Sequence, residues 1–355
     1  MFVDHEGVVW SCGANNNGQL GLGSSMGNQF LPQQIKSLPS ITSVFCGSNS
    51  SFLIDESASV WSFGDNFCGQ LGVGDKKERS APEKIGSLPP ILTIASGLAH
   101  TLFLDYDGFV WSCGNNDYFQ LGSGPEKKDR ISPAKIVGLS DVESISCGSY
   151  HSVFLDALGT VWCCGFNGNG QLGRDTEIKR IEKPEKVFDL PSIRAAQCGC
   201  HFTAFLDYDG SVWSCGDNRR GQLGIGDTIR RAKPEKIENL SGIQSISCGY
   251  YHAVFLDETG KVWGSGSNGQ CQLGIEDSKD RKEPTSLGNK EYFSIACGTY
   301  SSYFIDAEGL VWSCGDNYNG QLGIGKIVPK SPKPIDCLRL KMKSISLVKS
   351  ARSVL

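Results

Sequence analysis

The sequence is poor in several things. Among 355 residues there are 3 Met and 5 His, no two glycines stand adjacent, and no apolar run exceeds a few residues. A transmembrane helix needs about 20 consecutive apolar residues, so none is expected. The N-terminal stretch Met1–Gly7 has no basic region followed by an apolar one, and no secretory signal is read there. Neither charge sign is in large excess, with 34 Lys+Arg against 38 Asp+Glu and a formal net charge of −4. That balance excludes a global attraction to nucleic acid or to an anionic membrane. What the chain has in quantity is 44 Gly, 15 Cys and 7 Trp. An odd number of cysteines, most at repeat-equivalent positions, reads as free thiols in a reducing compartment, cytoplasmic and in part nuclear.

The tryptophans reveal the organisation. Trp10, Trp61, Trp111, Trp162, Trp213, Trp263 and Trp312 follow one another at spacings of 51, 50, 51, 51, 50 and 49 residues, and a period of this length marks a repeat architecture. Each Trp is preceded by an aspartate that begins a turn (Asp4, Asp55, Asp105, Asp156, Asp207, Asp257, Asp306) and followed three residues later by glycine. An asparagine lies two further on, from Asn15 to Asn317, and a Gln-Leu-Gly triplet then occurs seven times, from Gln19 to Gln321. A proline closes each unit: Pro32, Pro82, Pro133, Pro184, Pro234, Pro284, and either Pro332 or Pro334.

Each unit reads as four short strands. In the fifth, Ile193 to Cys198 and His201 to Asp207 are the first two. Tyr208-Asp209-Gly210 makes a tight turn, Ser211 to Cys215 is the third strand, and Pro234 to Ile237 is the fourth. Proline fits an edge strand, where no ladder N–H is needed. Four strands in about fifty residues make a propeller blade. The expected fold is therefore all-β: a seven-bladed propeller of four-stranded antiparallel blades, forming one domain over 1–355. The chain begins partway into a repeat, with only Phe2-Val3-Asp4 before the first turn. Lys343-Ser344-Ile345-Ser346 resembles Gln244-Ser245-Ile246-Ser247, so the basic closing segment 338–355 is expected to supply the missing first strand and hide two open sheet edges.

The unit Val-Trp-Ser-Cys-Gly-Asp-Asn-x-x-Gly-Gln-Leu-Gly-Ile-Gly, clean at 212–226 and preceded in the repeats by Cys-Gly-x-x-His, is similar to the repeat of the regulator-of-chromosome-condensation family. The resemblance covers essentially the whole chain. It implies the seven-bladed ring and protein recognition, and it leaves activity open, because fold alone does not carry function. The family's best-known member is a guanine nucleotide exchange factor for the small GTPase of nuclear transport. A small GTPase is thus one implied partner, although no inter-Trp spacing here leaves room for a projecting wedge.

Candidate chemistry is sparse. His100, His151, His201 and His252 are read as one repeat position, with Ser50 and Ser301 in its place elsewhere, and are expected to be buried or channel-lining and bonded to backbone. One cysteine ladder (Cys12, Cys113, Cys164, Cys215, Cys314) and a second (Cys46, Cys147, Cys198, Cys248, Cys297) read as compact core residues. No zinc-type cysteine spacing occurs, so no metal and no cofactor is expected. The tryptophans are expected to pack between blades, with Leu20 and its equivalents. Variation concentrates in charged segments after Leu-Gly-x-Gly. Asp75, Lys76, Lys77 and Arg79, then Lys127 and Arg130, and then Arg180, Arg231 and Arg281 are the candidate partner-binding residues. The competing reading is a solvated loop of local arginine–carboxylate pairs. The expectation is a monomeric, non-enzymatic interaction propeller that recruits or regulates protein partners.

Overall fold

The computed structural model describes residues 1–23, 26–325, 330–336 and 342–345. These form seven four-stranded antiparallel sheets, one for each tryptophan, and the blades are numbered here in that order. Blade 3 shows the pattern, running Ile91–Ser96, His100–Asp105, Val110–Gly114 and Arg130–Lys135 from the central channel to the rim. The connections therefore sort onto two faces. The upper face carries the link between first and second strands and the long loop between third and fourth. The lower face carries the tight turn between second and third strands and the linker to the next blade.

The repeated residues each have one job. In all seven blades the turn aspartate accepts backbone N–H groups on Oδ1, and its Oδ2 accepts the indole N–H of the Trp six residues on, at 2.7–3.1 Å. The hairpin is thus locked from both sides by one carboxylate. The indoles are half-buried and pack into the clusters between successive blades: Trp111 joins residues of blades 2 and 3, and Trp263 joins residues of blades 5 and 6. The largest fully buried side chains are mostly phenylalanine and leucine, with Val110, Ile91 and Ile94 among the smaller ones. Phe103, Phe154, Phe205, Phe255 and Phe304 stand directly across the ladder from their tryptophans, and Leu71 and Leu121 are wholly buried like their counterparts.

Blade-to-blade contacts also have a polar component. The backbone carbonyls of Gln70, Gln120, Gln171 and Gln272 each accept a hydroxyl from the next blade (Thr101, Ser152, Thr203, Ser302) at 2.7–2.9 Å. The same carbonyls face the thiols of Cys113, Cys164, Cys215 and Cys314 at 3.4–3.7 Å. This explains why the first cysteine ladder accepts serine: Ser265 makes the corresponding bond to the carbonyl of Gln222. No disulfide joins two cysteines among the described residues. The second ladder, read from the sequence as core, instead borders the central channel, with Cys46 exposed; the channel's volume is about 1020 Å³.

Two readings need correction. His201 does not share a position with the other three histidines; Phe202 does, since it pairs with Gly216 as His100 pairs with Gly114 and His151 with Gly165. The link before Phe202 has the same length as its counterparts, and the histidine falls one residue early. The true ladder members bond a hydroxyl of the next blade, His100, His151 and His252 placing Nε2 at 3.0–3.1 Å from Ser152, Thr203 and Ser302, and His100 and His252 also meet the backbone of His151 and Ser301. Those hydroxyls spend their protons on the glutamine carbonyls, so Nε2 carries the hydrogen. Burial holds all three imidazoles neutral, with pKa pushed down to about 3.

The fourth strand also starts earlier than the proline signal. In blade 5 it runs Arg231–Lys236, because Gly216 pairs with Arg231 and a bulge then spans Pro234 before Glu235 pairs with Ser214. Proline sits where the ladder is already broken. The ring closes as expected. Met342–Ile345 pairs with Phe2–Asp4 as the innermost strand of blade 1, joining Phe2 to Ile345 and Val3 to Ser344. Ser346 and the rest of 338–355 lie outside the described residues.

Candidate functional site

The varied loops stand on the upper face, and each is pinned from below. Asn66 is wholly buried. Its Oδ1 accepts the N–H of Leu71 at 3.0 Å, and its Nδ2 donates to the carbonyls of Asp75 and Lys77, both at 3.0 Å. Asn218 binds the carbonyls of Asp227 and Ile229 in the same way, and Asn167 those of Asp175 and Ile178. In the sequence these asparagines stand out only as a repeated position. Their function is to give long, charged segments a fixed root, and a buried amide that satisfies three backbone groups does this without a hydrophobic core in the loop.

The structure divides the candidate arginines into two groups. Arg79 hydrogen-bonds Asp75 at 3.0 Å, the carbonyl of Lys77 at 2.6 Å, and Glu83. Arg231 repeats this with Asp227, the Ile229 carbonyl and Glu235; Arg281 does so with Asp277 and the Lys279 carbonyl. Each guanidinium holds its aspartate below the usual carboxylate range. These three arginines close their own loops and leave little charge for a partner. Arg130 and Arg180 behave differently. Neither makes an ion pair among the described residues. Arg180 is exposed and stacks over the Tyr118 ring at 5.0 Å, and one Arg130 guanidinium nitrogen is buried with no hydrogen-bond partner. Among the lysines, Lys76 bridges blades 2 and 3 through Asp129 at 2.7 Å, Lys127 lies 5.3 Å from the Phe119 ring, and Lys77 is exposed.

Sequence reasoning missed what lies inside the ring of loops. Tyr118, Tyr150, Phe166 and His201 form a continuous aromatic cluster, with neighbouring centroids 5.0–6.1 Å apart. Tyr250 packs on Tyr251 at 4.7 Å and on Tyr300 at 5.9 Å. Between the two groups stands Cys200, which accepts the Ser149 hydroxyl at 3.1 Å and whose backbone N–H donates to the carbonyl of Tyr250. The upper links of blades 4 to 7 are strung together by these backbone bonds: Ser149 N–H to Cys200 O, Cys200 N–H to Tyr250 O, and Tyr250 N–H to Thr299 O. Burial raises the Tyr150 and Tyr251 hydroxyls and lowers His201, so all three rings stay uncharged at neutral pH. Beside His201, Arg219 grips Asp217 through two bonds of 2.9 and 3.0 Å. The only advance signal was that the residues before each second strand are aromatic in blades 4, 6 and 7.

The arrangement offers rigid aromatic faces and one stacked guanidinium with a free edge. No cluster of three or more His, Cys, Asp or Glu side chains with metal-binding geometry occurs among the described residues. No helix among them is long and apolar enough to cross a membrane.

Comparison with known proteins completes the picture. The family profile of the RCC1-like domain matches residues 1–196, and profiles of the regulator of chromosome condensation (RCC1) repeat match segments from 193 to 350. Human probable E3 ubiquitin-protein ligase HERC6 is 34% identical over 237 residues, 64% of this chain and 18% of the ligase. Mouse X-linked retinitis pigmentosa GTPase regulator is 39% identical over 227 residues, 62% of this chain and 22% of that protein. The matched part of this chain therefore spans only about a fifth of the length of such relatives. Among solved structures, yeast RCC1 (Prp20) bound to Kap60 superposes with a TM-score of 0.85 over 95% of this chain and 85% of that one, at 24% identity, which speaks for the fold alone.

Proposed function

The chain belongs to the RCC1-like propeller family, and from that premise we propose that it is a protein-recognition module whose upper face, over blades 2 to 7, grips a partner polypeptide. The observation that carries this reading is Arg180 stacked and unpaired on Tyr118, at the edge of a continuous cluster of tyrosine, phenylalanine and histidine rings. Tyrosine and arginine dominate the energetics of protein interfaces, because they bring large contact area at low entropic cost. Loops rooted by buried asparagines and linked by backbone bonds give such a surface preorganisation, which is where affinity is gained. Within the charged segments, Arg180, Arg130, Lys127 and Lys77 contact the partner, while Asp75, Lys76, Arg79, Arg231 and Arg281 hold the rim in shape. No catalytic role is proposed. The relatives named as ligases are several times longer than this chain, so ligase activity is not transferred to it.

A second reading is supported by the relative named as a GTPase regulator: the partner is a small GTPase and the propeller promotes nucleotide release. One experiment separates the two. The protein is mixed with small GTPases carrying fluorescent nucleotide, and release and complex formation are measured together. A stable complex without release supports recognition alone. Accelerated release at catalytic amounts supports exchange. Loss of neither complex nor release on changing Arg180 and Tyr118 to alanine removes the upper face from both readings.

A further inference from the structure

The lower face carries a second feature, visible only when the blades are compared. The two residues after the turn aspartate are polar or small in four blades: His5-Glu6, Glu56-Ser57, Glu258-Thr259 and Ala307-Glu308. In blades 3, 4 and 5 the same place holds Tyr106, Leu158 and Tyr208, which are 65%, 82% and 61% exposed. The linkers repeat the contrast. Among the described residues, the second residue after the fourth strand is Lys36, Gly86, Glu238 or Gly288 in blades 1, 2, 5 and 6, but it is Val137 in blade 3 and Phe188 in blade 4, 87% and 57% exposed. Turn and linker are tied together within each blade, by Val142 N–H to Gly108 O, by Ile193 N–H to Gly159 O, and by the Ser192 hydroxyl to Leu158 O. Five large apolar side chains therefore share one sector of one face. Nothing in the fold requires this, since the other blades close the same turn with glutamate. Contiguous exposed apolar surface of this kind marks an interaction site.

The size and charge of the patch indicate what covers it. Five such side chains present roughly 500 Å², short of the ~800 Å² per partner of a standard protein–protein interface. That fits one short segment better than a second copy of the ring. The turns and linkers of this sector, 106–109, 137–141, 157–160, 188–192, 208–211 and 238–242, contain Asp107, Asp141, Asp189, Asp209 and Glu238 and not one lysine or arginine; the Arg174 guanidinium that lies 5.2 Å from the Phe188 ring is neutralised by Glu185 at 2.9 Å. Among the described residues, only Asp189 of these acids has an ion-pair partner, Lys233 at 3.2 Å. The lysines that end the outer strands stand at the periphery, and Lys135 is engaged there by the Phe109 ring at 2.9 Å. We propose that the lower face of blades 3 to 5 is a docking site for a short polypeptide segment of another protein, apolar on one side and carrying basic residues. The proposal is independent of the upper-face reading. If both hold, the ring bridges two partners.

The test uses the full chain and a labelled amphipathic leucine–lysine peptide, followed by fluorescence anisotropy, with leucine–glutamate and serine–lysine peptides as counterparts. The expected result is binding of the first peptide at least about tenfold tighter than either counterpart. The exposed substitutions Leu158→Ser and Phe188→Ser together should weaken it about tenfold without moving the melting temperature, and Arg180→Ala should leave it unchanged. Equal binding by the Leu158→Ser/Phe188→Ser chain, or equal binding of the serine–lysine peptide, overturns the proposal. So does sedimentation showing a dimer that these substitutions dissolve, because the patch would then be covered by a second copy.

Discussion

The Asp–Trp lock and the loop arginine are both repeated features, yet they behave differently across the ring. The lock has the same partners and nearly the same lengths in all seven blades. The arginine opens the fourth strand in five blades, but it closes its own loop through an aspartate in only three of them, at Arg79, Arg231 and Arg281. A repeated residue with an unvarying partner belongs to the fold. A repeated residue whose partner changes from blade to blade is free to serve something else, and Arg180 on Tyr118 is the clearest case.

The largest effects should fall on the invariant side. Trp213→Ala removes a ring from the core between blades and should cost about 3–5 kcal/mol in chemical denaturation. Asp207→Ala alone should cost about 1.5–3 kcal/mol, since it leaves the indole N–H and the turn amides without their charged acceptor. In the double variant the two losses should be clearly less than additive; strict additivity would break the claim that they form one unit.

The histidines give the next effect and sharpen the correction at His201. The buried imidazoles of His100, His151 and His252 titrate near 3 in the folded chain, against 6.5 for an ordinary histidine. Between those values the unfolded chain takes up protons that the folded chain refuses. Their contribution is therefore complete above about pH 6.5 and falls as the pH drops toward 3, by about 1.4 kcal/mol per pH unit for each histidine. Thermal melts at pH 7.5 and pH 5 should show the loss. His252→Gln should shrink the difference between the two pH values more than His201→Gln, because His201 lies at the surface cluster and is only partly buried.

The smallest stability effects concern the loops. Arg231→Ala breaks exposed pairs and should cost no more than about 1 kcal/mol, and Arg180→Ala about 0.5 kcal/mol or less. A larger loss at Arg180 would place it with the framework.

Much of this was legible in the sequence because a propeller writes the same physical requirement seven times. The tryptophan spacing, the turn aspartates and the Ser344-Ile345 fragment were enough for blade number, strand content and ring closure. The site was less legible, for reasons that particular residues show. Asn66 and Arg79 act on carbonyls and carboxylates of their own loop, and spacing alone does not say whether a side chain turns inward or outward. Tyr118, Tyr150 and His201 come from three different blades, and only the closed ring brings them together. His201 also shows how a repeat misleads: one residue of displacement moved it from the ladder to the surface.

The account rests most heavily on the difference between the inward and outward arginines. Titration of a captured partner onto the wild-type chain, onto Tyr118→Ala/Arg180→Ala and onto Arg79→Ala/Arg231→Ala, all at one salt concentration, tests it directly. The account predicts at least about a tenfold loss of affinity for the first pair and less than about a threefold change for the second. The opposite order, or equal losses, would contradict it.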